Sequence, residues 1–451
     1  MVYFEVIIGA IVITLALIYY YIKRKEESIR NKFTSQQIKY VKTPNILIQA
    51  YKGLRAELYE YEQVKKWGKV FGTRFLGSPT IFLCEPELIQ LIMSKEFTNF
   101  TNRRANEQWK RIRSVVTPTF STGKLKRMKP RLDDSIDTLM ANFETFSQEK
   151  LQFNVKELFG AFAMDTILQV AFGTKKRAEL KNNKNTGKAT NFLEMLLEAE
   201  DEHEQMLAKE NNGTNAIKND NGNSKLIKFM TNDEIISQCI QFFIAAYDTT
   251  TSAISLSCYL LALNQSVQDR LYEEIETYFN RLQLESDGTE LDPSKLMTFE
   301  SLSQLEYLNA IINETLRLYP PIPIERTASK DIELVTEDGS HRLNVKKDDI
   351  IHIPAYTLHR DERYYPDPET FKPERFIDNP EFHKYAYLPF GTGPRNCVAR
   401  SLALYEVKMA LINTIYRYRL SVCEQTKIPM DFYINGQILS PKEVVLKVDK
   451  R

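Results

Sequence analysis

Cysteine is scarce in this chain: five residues in 451, at positions 84, 239, 258, 397 and 423. The number is odd and no pair has metal-finger spacing. That argues against a disulfide framework and for a reducing compartment. Net charge is nearly absent too, at +1, so nothing in the balance asks for a nucleic-acid partner. Charge is absent from the run Val6 to Ile22, which is mostly apolar and 17 residues long. That is the short limit of a membrane-spanning helix. Lys23, Arg24 and Lys25 follow it, which by the positive-inside rule leaves the body of the protein in the cytosol. No small-residue cleavage site follows, so a retained anchor (residues 1–25) is expected over a signal peptide. The sequons at Asn99, Asn212 and Asn313 would then stay on the unglycosylated side. Proline is sparse after the anchor: Pro44 stands alone in residues 26–70, where a proline-rich hinge could have been.

What is present is concentrated in Tyr387–Lys408, YLPFGTGPRNCVARSLALYEVK. Gly391 and Gly393 allow positive φ and close backbone approach. Beyond Ala399 the apolar residues Leu402, Tyr405, Met409 and Ile412 recur at helical spacing. A tight loop therefore delivers Cys397 to a helix N-terminus, where free N–H groups and the helix dipole favour a thiolate. A thiolate there suits a haem iron. A lone cysteine is more often a buried structural one, and from the residues alone both readings stand.

A second unusual stretch opens at Thr231, which forms a capping-box pattern with Glu234. The run QCIQFFIAAY is apolar almost all round and predicts a buried helix. Asp248, Thr249, Thr250 and Thr251 are set into it. Buried polar groups need partners or a purpose; the plain partner for a helical threonine is the carbonyl four residues earlier.

Elsewhere, Gly72–Leu76 and Thr80–Cys84 predict a hairpin, and Pro86–Met93 a short helix. Trp109 and Arg113 share a helix face. Residues 110–131 carry eight basic residues and no acidic one: a solvated face, or a docking surface for an acidic partner. Residues 151–173 read as an apolar helix, and 305–319 as another, with Glu314 and Arg317 able to pair on its surface. Asp331–Val345 reads as a hairpin turned at Asp338-Gly339, Ile350–Ile353 and Val444–Val448 as strands, and Asn435-Gly436 as a turn. His359 is expected to make a structural contact. Thr174–Thr190 and Lys209–Lys225, rich in Asn, Lys and Gly, read as loop or disorder around a short helix at Asn191–Leu207.

Phe390, Gly393, Arg395 and Cys397, in the order Phe-x-x-Gly-x-Arg-x-Cys, resemble the haem loop of the cytochrome P-450 family. Ala245–Thr250 resembles that family's oxygen-activation motif, and Glu314, Arg317 and Arg375 its structural Glu-x-x-Arg…Arg triad. The resemblance runs from about residue 65 to the end. It implies a mainly α fold, a helical bundle around haem with small β-sheets, as one domain over residues 26–451. It implies haem b, with Cys397 on the iron, and Phe390, Gly391, Arg395, Trp109, Arg113, Arg103 and Arg326 around the cofactor. The arginines and Trp109 would hold its propionates, and Asp248 and Thr249 would deliver protons.

The activity implied is NADPH-dependent monooxygenation of an apolar molecule on the cytosolic face of the endoplasmic reticulum. Electrons would come from a flavoprotein, NADPH-cytochrome P-450 reductase, with cytochrome b5 as a further donor; Lys110, Arg111, Lys124, Lys126 and Arg127 would meet it. Ala399 and Ala246 stand where the family usually has glycine. Two segments are shorter than in relatives, between Arg104 and Trp109 and after Gly173. Two competing readings follow. A haem-thiolate isomerase or dehydratase would have no use for Thr249. A catalytically impaired haem protein, or an incomplete gene model, would account for the short segments.

Overall fold

A computed structural model describes residues 2–42, 55–75, 77–103, 109–172, 230–285, 297–377, 382–433 and 438–451. The expected loops and short helix within 174–225, and the turn at Asn435-Gly436, lie outside the described residues. The main helices are α1 (Val2–Ser35), α2 (Ala56–Trp67), α3 (Trp109–Val116), α4 (Thr122–Gln148), α5 (Val155–Phe172), α6 (Asn232–Leu263), α7 (Gln265–Glu285), α8 (Glu306–Leu318) and α9 (Arg400–Arg417). The strands are β1 (Val70–Phe75), β2 (Ser78–Leu83), β3 (Gln152–Asn154), β4 (Ile324–Thr327), β5 (Ile332–Val335), β6 (Arg342–Val345), β7 (Ile350–Ile353), β8 (Tyr418–Ser421) and β9 (Val445–Lys450). The chain divides into two compact units. One comprises Met1–Asn106, Pro323–Pro366 and Phe382–Arg395; the other comprises Glu107–Ile322, Asp367–Glu381 and Asn396–Arg451.

The first unit is built on a four-stranded sheet of order β1-β2-β7-β4, with β5 and β6 as a separate hairpin. The expected hairpin pairs Phe71 with Phe82. β2 then runs parallel to β7, and β7 antiparallel to β4, where Arg326 faces Ile351. Ile29, Phe33, Ile81, Leu83, Leu88, Met93, Phe100, Ile324 and Leu388 form one apolar core around that sheet. The short helix at Pro86–Gln90 continues as a π-turn through Lys95. His359 is buried and its Nε2 accepts from the Leu388 N–H at 2.8 Å, the structural contact expected of it.

The second unit is helical, with a small sheet of order β3-β9-β8. α6 begins at the capping box: the Thr231 hydroxyl accepts from the Glu234 N–H, and the Glu234 carboxylate accepts from the Thr231 N–H. Its C-terminal half, Ile254 to Ala262, is buried, as its apolar pattern requires. Its N-terminal half corrects the expectation of burial all round. Ile236, Ile240 and Ile244, one turn apart, are 58%, 55% and 66% exposed.

α8 corrects another expectation. Glu314 and Arg317 are not on its surface but fully buried. Glu314 Oε2 accepts from Arg317 Nε at 2.7 Å, while Oε1 accepts from Arg317 Nη2, Arg375 Nε and the Lys372 N–H, each at 2.9 Å. One buried carboxylate thus ties α8 to the segment at Pro373–Phe376. The two guanidiniums and the backbone donor repay its desolvation.

Candidate active site

In the second unit, Cys397 precedes α9 by three residues and is in no disulfide. Arg113 fixes the loop around it: Nη1 donates to Asn396 O and Nη2 to Asn396 Oδ1, both at 2.9 Å. Trp109 lies one turn earlier on α3, half-buried, at the helix start. Val398 joins the apolar cluster of Ile112, Val115, Phe242, Phe243, Ala246 and Tyr247, so α3, α6 and the cysteine loop pack on one another. The Ala399 N–H, Arg113 and Arg400 all favour a thiolate, but desolvation by the surrounding protein outweighs them. It pushes the Cys397 thiol up, even though part of the residue's surface stays accessible. The helix-terminus argument alone therefore does not lower this thiol. A bound metal cation would displace the proton outright, since a coordinating thiol is deprotonated.

Asp248 and Thr249 lie on α6. The Thr249 hydroxyl donates to the Ala245 carbonyl at 2.7 Å, the ordinary back-bond of a helical threonine. Ser440 Oγ donates to Asp248 Oδ1 at 3.4 Å and stands within 3.2 Å of Ser252 Oγ. Asp248 also attracts the ammonium of Lys156, whose pKa burial nonetheless lowers. Sequence reasoning missed Glu406. It lies on α9, is 3% exposed, and meets the hydroxyl of Thr250, the neighbour of Thr249. Burial pushes its carboxyl up to about 8 against that bond, so at neutral pH it is largely protonated. The signal was available: a glutamate one turn beyond Leu402, on the apolar face of its helix.

In the first unit the haem-loop residues Phe390, Gly391 and Arg395 sit on the turn after Leu388, whose carbonyl accepts from the Gly391 N–H at 3.1 Å. Gly393 has φ +70°, and a Cβ there would collide with the Met93 carbonyl oxygen. Only glycine fits this close approach. Three guanidiniums gather in this unit. The alternation of β4 turns Ile324 and Arg326 inward together, and Arg326 is 1% exposed. Burial first, then repulsion from Arg103 and Arg395, brings Arg326 down to about 9. Its Nη1 donates to Glu325 O at 2.7 Å, while its Nε has no hydrogen-bond partner. Arg103 is also lowered by desolvation, with Glu325 opposing, although its side chain remains accessible.

Buried cations that repel one another call for anions. The two propionate carboxylates of haem are such anions, and an accessible cysteine held by a rigid loop is such a metal ligand. Taken each by itself, the guanidiniums of the first unit fit the carboxylates, and the cysteine of the second fits the metal.

A family model of cytochrome P450 matches residues 43–209 and 176–448. The chain belongs to the cytochrome P450 family. It is similar to cytochrome P450 3A29 of Sus scrofa, 32% identical over 447 residues that cover 85% of each chain. It is 31% identical to cytochrome P450 3A5 of Homo sapiens over 457 residues, 87% of each, and 28% identical to cytochrome P450 3A27 of Oncorhynchus mykiss over 475 residues. An alignment of 475 positions exceeds the 451 residues present, so that last relative holds residues where this P450 has none.

As a P450 it is a haem b monooxygenase. The cofactor supplies the one-electron redox centre that activates dioxygen.

Proposed function

We propose that this P450 hydroxylates an apolar organic molecule on the cytosolic face of the endoplasmic reticulum, using NADPH through a flavoprotein reductase. The observation that carries the reading is the cysteine loop: Arg113 pins Asn396, Val398 packs against α6, and Cys397 is exposed and in no disulfide. In this reading the Cys397 thiolate holds the iron. Arg103, Arg326, Arg395, Trp109 and Arg113 hold the carboxylates, and Phe390 and Gly391 shape the loop. Arg113 already spends two donors on Asn396, so its share is steering the loop as much as binding an anion. Asp248 and Thr249 pass a proton inward, with Thr249 Oγ1 exchanging the Ala245 carbonyl for the incoming acceptor.

The basic segment would receive the reductase. Lys110 and Arg127 are exposed there, whereas Arg111 is engaged with Glu234 and Lys126 pairs with Glu300 at 2.6 Å. Val6–Ile22 would be the anchor. Among the described residues no helix is long and apolar enough to cross a membrane, and the side chains of residues 2–9 lie outside that description.

The test is turnover with NADPH and purified reductase under ¹⁸O-labelled dioxygen, across a panel of apolar substrates. One labelled oxygen atom in the product is expected. Conversion of peroxides or oxides without NADPH, with no label incorporated, would favour the isomerase reading.

A further inference from the structure

α1 runs as one helix from Val2 to Ser35, and its residues 11–35 contain neither glycine nor proline. Its surroundings change abruptly along its length. Ile11, Val12 and Ile13, and again Tyr19, Tyr20, Tyr21 and Ile22, are consecutive and all exposed. Consecutive helical positions point about 100° apart, so this segment is apolar on every side. Such a surface suits lipid rather than a groove on a protein. One turn after Lys23, Arg24 and Lys25 the same helix enters the core of the first unit, where Ile29 and Phe33 are buried.

The entry is a clamp. The Phe33 ring occupies the space beside Gly72 of β1: a Cβ on Gly72 would lie 2.6 Å from Phe33 Cγ. Lys32 Nζ meets the fully buried Asp349 at 2.5 Å, and Gln36 Nε2 donates to the other oxygen of the same carboxylate and, at 3.1 Å, to Asn344 O. Tyr40 returns along the helix to donate to Glu26 and stacks on Phe33. The chain beyond the helix then joins the sheet edge: Gly72 N donates to Lys39 O at 2.9 Å and Val41 N to Gly72 O at 2.8 Å. From Ile22 to Ile29 is seven residues, about 10 Å of helix at 1.5 Å per residue.

We propose that α1 is a rigid strut. It passes without a joint from the bilayer into the clamp at Lys32, Phe33 and Gln36, and so fixes the tilt of the first unit relative to the membrane. The proposal rests on the reading of Val6–Ile22 as a bilayer anchor. The partner is the lipid bilayer itself, and the consequence is orientational: the first unit cannot wobble on a flexible tether.

The experiment uses the full-length holoenzyme in phosphatidylcholine vesicles. The readout is transient dichroism after photolysis of the carbon monoxide complex, which reports wobbling of the body on the membrane. The wild type is compared with a variant carrying Gly-Ser-Gly-Ser inserted after Lys25 and with Phe33→Ala. The wild type should keep a high residual anisotropy. The insertion should lower it at least two-fold with the carbon monoxide spectrum unchanged, and Phe33→Ala should fall between. Equal residual anisotropy in the wild type and the insertion variant would overturn the strut. Release of the wild type by alkaline carbonate would remove the anchor reading itself, and the strut with it.

Discussion

At the scale of single residues, the proposed chemistry depends on a hydroxyl and a carboxyl of α6. Thr249 spends its hydroxyl on the Ala245 carbonyl, which explains how a threonine survives in an apolar helix but not why one is useful there. If it relays protons, Thr249→Ala should leave NADPH consumption running while product falls and peroxide rises. Loss of one proton relay typically costs on the order of 10²–10⁴-fold. Thr249→Ser should restore coupling. Product yield per NADPH unchanged in Thr249→Ala would mean that the proton travels another way. Glu406 makes a separate prediction. Its carboxyl titrates near 8 in the folded protein and near the ordinary carboxylate value when unfolded. A raised carboxyl contributes stability that is fully present below the unfolded value and is lost as pH rises through 8. Glu406→Gln removes that titration. Denaturation between pH 5 and 8 should therefore show wild-type stability declining relative to Glu406→Gln by a few kcal/mol at most, since each tenfold change in proton affinity is worth about 1.4 kcal/mol. Parallel curves for the two proteins would contradict the burial argument.

At the scale of elements, the strongest tie is the buried carboxylate of Glu314, which receives Arg317, Arg375 and the Lys372 N–H. Breaking a buried pair by removing one partner costs about 3–5 kcal/mol, because the other charges stay buried. Glu314→Ala should therefore lower the yield of folded haem protein sharply. Arg375→Lys, which keeps the charge but not the planar fork, should lower it less. Wild-type thermal stability in Glu314→Ala would show the triad to be dispensable.

This tie also marks where the sequence was readable. Residues i and i+3 were expected to pair, but an exposed pair and a buried one look alike in sequence; the distant Arg375 and Lys372 decide between them. The hairpins were legible because turn residues and strand alternation are local signals: Asp338-Gly339 lies between β5 and β6 as expected, while the second strand of the first hairpin begins at Ser78, two residues before the expected Thr80. α6 was legible as a helix but not in its exposure. Ile236, Ile240 and Ile244 are covered or left bare by what packs on them, which periodicity does not encode. The arginine cluster was named only through family resemblance. Arg103, Arg326 and Arg395 are far apart in sequence, and only the fold of the first unit gathers them.

At the scale of the whole molecule, the haem loop is the thread that the two units share. Its residues Phe390 to Arg395 belong to one unit and Asn396 to Cys397 to the other. Each unit carries a partial set of donors: guanidiniums for carboxylates in the first, a cysteine and a polar stretch of α6 in the second. Burial, then Arg103 and Arg395, disfavour the charged form of Arg326 in the first unit, and Cys397 in the second is exposed and in no disulfide. In the proposed reading the first set answers the carboxylates of haem and the second its iron. The most direct measurement is the spectrum of the reduced protein under carbon monoxide, for the wild type and for Cys397→His. The wild type should show the long-wavelength Soret band of a thiolate-ligated haem. Cys397→His should lose that band, giving the shorter-wavelength band of an imidazole ligand or no haem at all. A thiolate-type band that persists in Cys397→His would place the iron on another cysteine and contradict the account.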